Sequence, residues 1–282
     1  MSEKCFPMRF AHRGLAQAAP ENTLGAFQAA IDFGCEGIEL DIHMSKDGDP
    51  IVVHDNTLTR LSDGVVTSRI GELTTEELLK VDLPYAGHLL PYNPPVPYSE
   101  NMASVAHYTD EEIAKQRAED KRIAHLMTFE QFDKWFETVE TDTIIEIEFC
   151  EVGLMPKMHE ILSKSKNCSR YIIFSGERDR NDEIQSVLKE KGKPEGLRVG
   201  ANIRWINEET LDFLNSGVDL YEVGLNDMKF TADDVKLLTD RGIKIFSNLG
   251  DYPEWWAAMP ALDVVAFKTN YAQAYTDWLN KK

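Results

Sequence analysis

Short apolar runs alternate with amphipathic runs along most of this 282-residue chain. The apolar runs are Met8–Ala11, Cys35–Ile42, Thr143–Phe149, Tyr171–Phe174, Leu197–Val199, Leu220–Val223, Ile243–Phe246 and Val264–Phe267. Each is the length of a buried strand and is bounded by turn-forming residues. A stretch with a helical apolar stripe follows each one. The first opens at Asn22 or Thr23 as N-cap, carries Leu24, Phe27, Ala30 and Ile31 on one face, and stops at Gly34. The later helices are expected at Phe129–Val139, Leu154–Ser163, Asp182–Lys191, Glu208–Leu214, Ala232–Asp240, Glu254–Ala258 and Tyr271–Leu279. Strand and helix in strict alternation require a parallel sheet, because parallel neighbours need a crossover between them. Eight such units in roughly 250 residues match a (β/α)8, or TIM, barrel of α/β class, with a doubly wound sheet as the other arrangement. One domain over residues 1–282 is expected.

The alternation breaks once, after the second strand. A turn at Ser45–Asp49 and an extra short strand, Ile51–His54, lead to a helix start within Leu73–Val81, capped by Thr74 or Thr75. Residues 84–125 then show no periodicity. Pro84, Pro91, Pro94, Pro95 and Pro97 interleave with Tyr85, Tyr92 and Tyr98, and a charged, helical-looking run spans Asp110 to Lys121. A segment of this kind reads as an insertion, either a lid or a surface decoration.

The charge is −18, from 48 acidic and 30 basic residues, which argues against nucleic acid or an anionic membrane as partner. A small anionic substrate remains compatible, since local cations override the global field. Cys5, Cys35, Cys150 and Cys168 have no paired metal-site spacing, so neither disulfides nor a zinc cluster are expected. No stretch approaches the ~18 apolar residues of a spanning helix, and Met1–Arg9 lacks an apolar leader, so stable membrane insertion is not expected and the cytoplasm is the expected location. Nothing in the sequence indicates an oligomeric state.

In a barrel of this kind the reactive groups stand at the C-terminal ends of the strands. His12, Glu39, Asp41 and Glu146 fall at or near such ends. Glu39 and Asp41 are two apart in a strand and share one face, where their charges repel unless a proton or cation lies between them. A hard cation with oxygen ligands, Mg2+ or Ca2+, is the natural occupant. His12 and His54 can exchange protons, and Arg13 can hold an anion. Asp55 either orients a histidine or caps a turn. The set suits phosphoryl chemistry.

These residues resemble the glycerophosphodiester phosphodiesterase family. The resemblance is carried by His12–Arg13–Gly14, Glu21–Asn22–Thr23, Gly37–Ile38–Glu39–Leu40–Asp41 and Val53–His54–Asp55, with Arg60 a few residues on. It implies a (β/α)8 barrel, one divalent metal, Mg2+ or Ca2+, held by Glu39, Asp41 and Glu146, and hydrolysis of a small glycerophosphodiester to glycerol 3-phosphate and an alcohol. It further implies His12 and His54 as the acid–base pair and Arg13 on the phosphate, with Glu21 also in the substrate site. Spider-venom-type phospholipases D share the plan more distantly but lack the Glu-Asn-Thr element. The chain departs from the family at Glu148, where a lysine is usual two residues after the third metal carboxylate. Phe246 stands where a strand-seven tryptophan is common. At the substrate-binding surface Glu148 would shift substrate choice, add a metal ligand or weaken activity, and Lys268, near the end of the last strand, could restore the missing positive charge. The other readings are a diesterase for a sugar-phosphate diester or a lysophospholipid, and a barrel that binds such ligands without turnover.

Overall fold

The computed structural model describes residues 6–84, 109, 111–112, 114–115, 123–203, 222–225 and 231–282. Its strands are β1 (Met8–His12), β2 (Gly37–Met44), β3 (Pro50–Val52), β4 (Ile144–Phe149), β5 (Tyr171–Phe174), β6 (Arg198–Ile203), β7 (Glu222–Leu225), β8 (Lys244–Ser247) and β9 (Val264–Thr269). All but β3 pair in parallel, in the order β1-β2-β4-β5-β6-β7-β8-β9. Met8–Ala11 of β1 pairs with Ala266–Thr269 of β9, which closes the ring. The architecture is therefore the eight-stranded barrel, and the doubly wound sheet is excluded, since an open sheet has two free edges.

The helices are α1 (Leu24–Phe33), α2 (Thr75–Leu78), α3 (Phe129–Phe136), α4 (Met155–Leu162), α5 (Arg178–Lys191), α6 (Ala232–Thr239), α7 (Pro253–Ala258) and α8 (Ala272–Leu279). Thr23, not Asn22, caps α1, accepting from the Ala26 amide, and Gly34 ends it in the left-handed conformation. Thr74, one of the two expected caps, forms a capping box with Glu77 at α2, and a 3-10 turn at Ile70–Glu72 precedes it. The helix expected at Glu208–Leu214 lies outside the described residues.

Period-two alternation sorts the strand residues into two environments. Ile38, Leu40 and Ile42 of β2 and Ile145, Ile147 and Phe149 of β4 face outward, into the main core under the helices. The opposite faces of the same strands carry Gly37, Glu39 and Asp41, and Ile144, Glu146 and Glu148, and point into the barrel. Phe10, Phe174 and Phe246 fill its lower end, ring against ring at 4.8 and 5.9 Å. Gly37 is needed there, because a Cβ would sit 2.4 Å from the Phe10 ring. This aromatic plug seals the floor beneath the acids.

β3 runs antiparallel along the upper part of β2, Ile42–Met44, and is an addition to the barrel rather than a stave. A second, smaller core of Ile51, Val53, Leu58, Leu61, Ile70, Leu78, Leu83, Ala124 and Leu126 forms beneath this excursion. Most of the expected insertion, 84–125, lies outside the described residues. Its flanks, Leu83 and Ala124, exchange two backbone hydrogen bonds of 3.0 Å.

Candidate active site

The inner faces of β2 and β4 lie in register, Glu39 beside Glu146 and Asp41 beside Glu148. Four carboxylates thus converge inside one ring of strands, and β9 supplies a cation to meet them. The Lys268 ammonium lies 2.7 Å from Glu146, 2.8 Å from Glu148 and 3.6 Å from Glu39, and its floor is the Phe174 ring. Burial pulls the Lys268 pKa down, but the three acids outweigh it and hold the group charged. Burial likewise raises Glu148, and the Lys268 charge reverses that shift, so Glu148 stays ionised. Asp41 is pushed up, first by burial and then by the charge of Glu39.

The loop after β1 supplies a second group of charges. Gly14 has φ of 80°, and a Cβ there would lie 2.7 Å from that of Ala26, so glycine lets the loop rest against α1. Arg13 and Asn22, at φ of 58° and 55°, also occupy the left-handed region, uncommon for residues with side chains and found at sites where geometry matters more than local comfort. The Arg13 amide donates to Glu39 at 2.9 Å, and its guanidinium reaches Asp41 at 3.3 Å and Glu21 at 3.1 Å. Asn22 does not cap a helix. Its amide nitrogen donates to Asp41 at 3.0 Å and fixes that carboxylate. Glu21 is buried behind the cavity wall and clamps Arg13 and Arg60, at 3.1 and 2.7 Å. Burial would raise its pKa, but the two guanidinium groups hold it low.

His54 follows β3 and stands over the cavity, with its side chain 44% exposed. Its Nδ1 donates to Asp55 at 2.8 Å, and Asp55 is held in turn by Arg60 at 2.7 Å. Asp55 therefore orients the histidine. The buried His43 donates from Nε2 to the His54 carbonyl at 2.9 Å and anchors the backbone. Partial burial lowers the His54 pKa, but the Asp55 hydrogen bond and the Asp41 charge outweigh this and leave it raised. His12 is in the opposite situation. Burial and the neighbouring Arg13 charge push it down to about 3. Its Nδ1 is 2.7 Å from Asn270 Oδ1, and its Nε2 is 3.9 Å from Glu39. Asn270 leans on the buried Asp251.

These groups surround a cavity of about 760 Å³ whose wall contains His12, Arg13, Glu39, Asp41, His54, Glu148 and Lys268. Glu146 and Glu21 do not reach that wall: Glu146 lies beneath it on Lys268. Arg180, Asn202 and Asn248 also line the cavity, as does Cys150, whose thiol is pushed far up by burial and by the Asp41, Glu148 and Glu39 charges. The sequence reading missed Asn202, Asn248, Asp251 and Asn270. Their signal is position, since Ser247–Asn248 and Thr269–Asn270 stand where β8 and β9 end.

Among the described residues no three metal-ligating side chains stand at metal-binding distances. The donor chemistry nonetheless fits a hard cation. Glu39 and Asp41 present carboxylate oxygens to the cavity, and the bowl formed by Glu39, Glu146 and Glu148 already gathers one positive charge, the Lys268 ammonium. No described helix is long and apolar enough to cross a membrane.

The fold is shared with solved structures. A phosphodiesterase from Oleispira antarctica, solved in complex with the product sn-glycerol-3-phosphate, superposes with a TM-score of 0.71 at 19% identity, covering 98% of this chain and 97% of that one. A glycerophosphodiester phosphodiesterase from Thermotoga maritima gives 0.63 at 23% identity, covering 97% and 98%. In sequence, human glycerophosphodiester phosphodiesterase 1 is 48% identical over 80 residues, 28% of this chain and 23% of that protein. The Caldanaerobacter subterraneus enzyme of that activity is 43% identical over 72 residues, 26% of this chain and 29% of its own length. The matched part thus spans about a quarter of the length of these relatives. The model of the glycerophosphoryl diester phosphodiesterase family matches residues 12–190, from the first cavity histidine through α5 and so more than half of the chain, and the chain belongs to that family.

Proposed function

We propose that this chain hydrolyses glycerophosphodiesters to glycerol 3-phosphate and an alcohol, with His12 as general base and His54 as general acid. One observation carries the assignment: the two imidazoles line one cavity in unlike settings, His12 buried with its Nδ1 on the neutral Asn270 and His54 half-exposed with its Nδ1 on the Asp55 carboxylate. Paired titratable groups separated in this way define an acid and a base. His12, neutral at physiological pH, takes the proton of the attacking hydroxyl, from water or from the glycerol itself. His54, whose proton-bearing form Asp55 favours, delivers a proton to the departing alkoxide oxygen. Arg13 directs its charge at the phosphoryl oxygens, and Lys268 supports it from below. A single Mg2+ or Ca2+ held by Glu39, Asp41 and Glu146 would neutralise the charge developing on phosphorus-bound oxygen. For Glu146 to take part, it must share or give up its contact with Lys268.

The test is incubation with glycerophosphocholine, with glycerol 3-phosphate measured enzymatically, in EDTA and after adding back each metal. Production that EDTA abolishes and Mg2+ or Ca2+ restores supports the reading. The same assay on a sugar-phosphate diester and a lysophospholipid ranks the alternatives, and the polar wall of Arg180, Asn202 and Asn248 favours a polar alcohol. A second reading, binding without turnover, draws on Lys268 already filling the carboxylate bowl. Saturable binding of glycerol 3-phosphate with no hydrolysis under any metal would select it.

A further inference from the structure

Catalysis by His12 as a base requires a bare Nε2 facing the cavity, and a neutral imidazole is free to place its proton on either nitrogen. We propose that Asp251 and Asn270 form a positioning relay that holds His12 in the Nδ1–H tautomer. This deepens the functional reading above and rests on it for its catalytic consequence.

Asp251 is fully buried, and every partner named here donates to it. Thr269 donates its hydroxyl at 2.5 Å, the Asn270 backbone amide lies at 3.2 and 3.3 Å from its two oxygens, and the Asn270 side-chain nitrogen donates at 3.1 Å. The Thr269 hydroxyl can donate because it already accepts from the Tyr271 amide at 2.9 Å. Asn270 is therefore held at its backbone and at its side chain by one carboxylate. A primary amide has a single oxygen. With its NH2 turned toward Asp251, that oxygen is what remains for His12, 2.7 Å from Nδ1. An oxygen with no proton to give obliges Nδ1 to carry the hydrogen, and Nε2 is left as the acceptor.

The seat of Asp251 is tightly packed. The preceding Gly250 donates its amide to the Lys268 carbonyl at 3.3 Å and accepts the Trp256 indole at 2.6 Å. The Trp255 ring covers it so closely that a Cβ at Gly250 would lie 2.3 Å away. The relay thus ties the C-terminal ends of β8 and β9 to the histidine that ends β1.

The experiment is 15N NMR of selectively histidine-labelled protein, with His12 identified by its loss in His12→Gln, together with kinetics. We expect Nδ1 as the protonated nitrogen in the native chain, and a mixture of tautomers in Asp251→Ala and in Asn270→Leu. In both variants kcat should fall roughly 10- to 100-fold, the usual effect of removing the partner behind a functional histidine, with KM little changed. Asp251→Asn keeps an acceptor oxygen and should recover most of that loss. A bare Nδ1 in the native chain, or a single unchanged tautomer in Asn270→Leu, overturns the relay. So does a joint change of kcat and KM that follows the melting temperature alone. If Asp251→Ala does not fold, Asn270→Leu decides. The NMR needs no substrate, so a chain that cleaves no diester refutes the functional reading while the tautomer still decides the relay.

Discussion

The two halves of the cavity are built differently. The N-terminal half, from His12 to Arg60, is a continuous charge ladder whose partners lie no more than 39 positions apart: His54 on Asp55, Asp55 on Arg60, Arg60 and Arg13 on Glu21. The C-terminal half is sparse and long-range. Lys268 meets Glu148 across 120 positions, and Asn270 meets His12 across 258. The first half needs only β1, α1 and the β2–β3 hairpin; the second exists only once the barrel has closed. Redundancy follows from this. Arg13 and Arg60 back each other up on Glu21, whereas the acids of β4 share the one ammonium of Lys268, with the neutral Asn202 amide also reaching Glu148 at 3.4 Å. Loss of one charge should accordingly disturb the stability of the second half more than that of the first.

The largest expected effect on stability is at Lys268. Lys268→Met leaves Glu39, Glu146 and Glu148 facing one another in a buried space, and removal of one partner from such a cluster costs about 3–5 kcal/mol. Thermal unfolding measures it, and added Mg2+ or Ca2+ should raise the melting temperature of the variant more than that of the native chain. A variant as stable as the native chain would contradict the dependence described above. Next come His12→Ala and His54→Ala, each expected to lower kcat by at least about 10²-fold with folding intact, as for a positioned acid or base. Near-native turnover in either would end its assignment.

The Glu148–Lys268 pair sharpens the comparison. Glu148→Lys alone places a second ammonium beside the first, while Glu148→Lys with Lys268→Met moves the one cation from β9 to β4. The double variant should be more stable than the two single changes add up to, with coupling of about 0.5–3 kcal/mol. Strict additivity would show that the two side chains do not share a site. The smallest effect is at Asp55. Asp55→Asn removes the partner that raises His54, so the alkaline limb of kcat should move to lower pH. The sign for stability follows from linkage. His54 is raised in the folded chain, so its contribution is present below its ordinary value of about 6.5 and disappears as pH rises through the folded value. The part of the Asp55→Asn loss owed to His54 should therefore be seen in acid and vanish in alkali.

Much of this molecule is local in origin. Alternation along Gly37–Asp41 and Ile144–Glu148 puts the acids on one face and the aliphatics on the other whatever the strand order, because successive side chains of a strand point to opposite sides. The repeated strand and helix, the turn at Gly14 and the His12, His54 and Glu39–Asp41 set follow from short-range pattern in the same way. Asn22 could be read locally only as a cap. Its true partner, Asp41, is 19 positions away and is met only because α1 returns the chain to β2. Barrel closure decided the rest: that Lys268 fills the bowl of acids, that Glu146 lies beneath the cavity rather than on its wall, and that Asp251 reaches His12 through Asn270. Those contacts join strands far apart in sequence, and their geometry comes from the shape of a closed ring of parallel strands, which no short-range periodicity encodes.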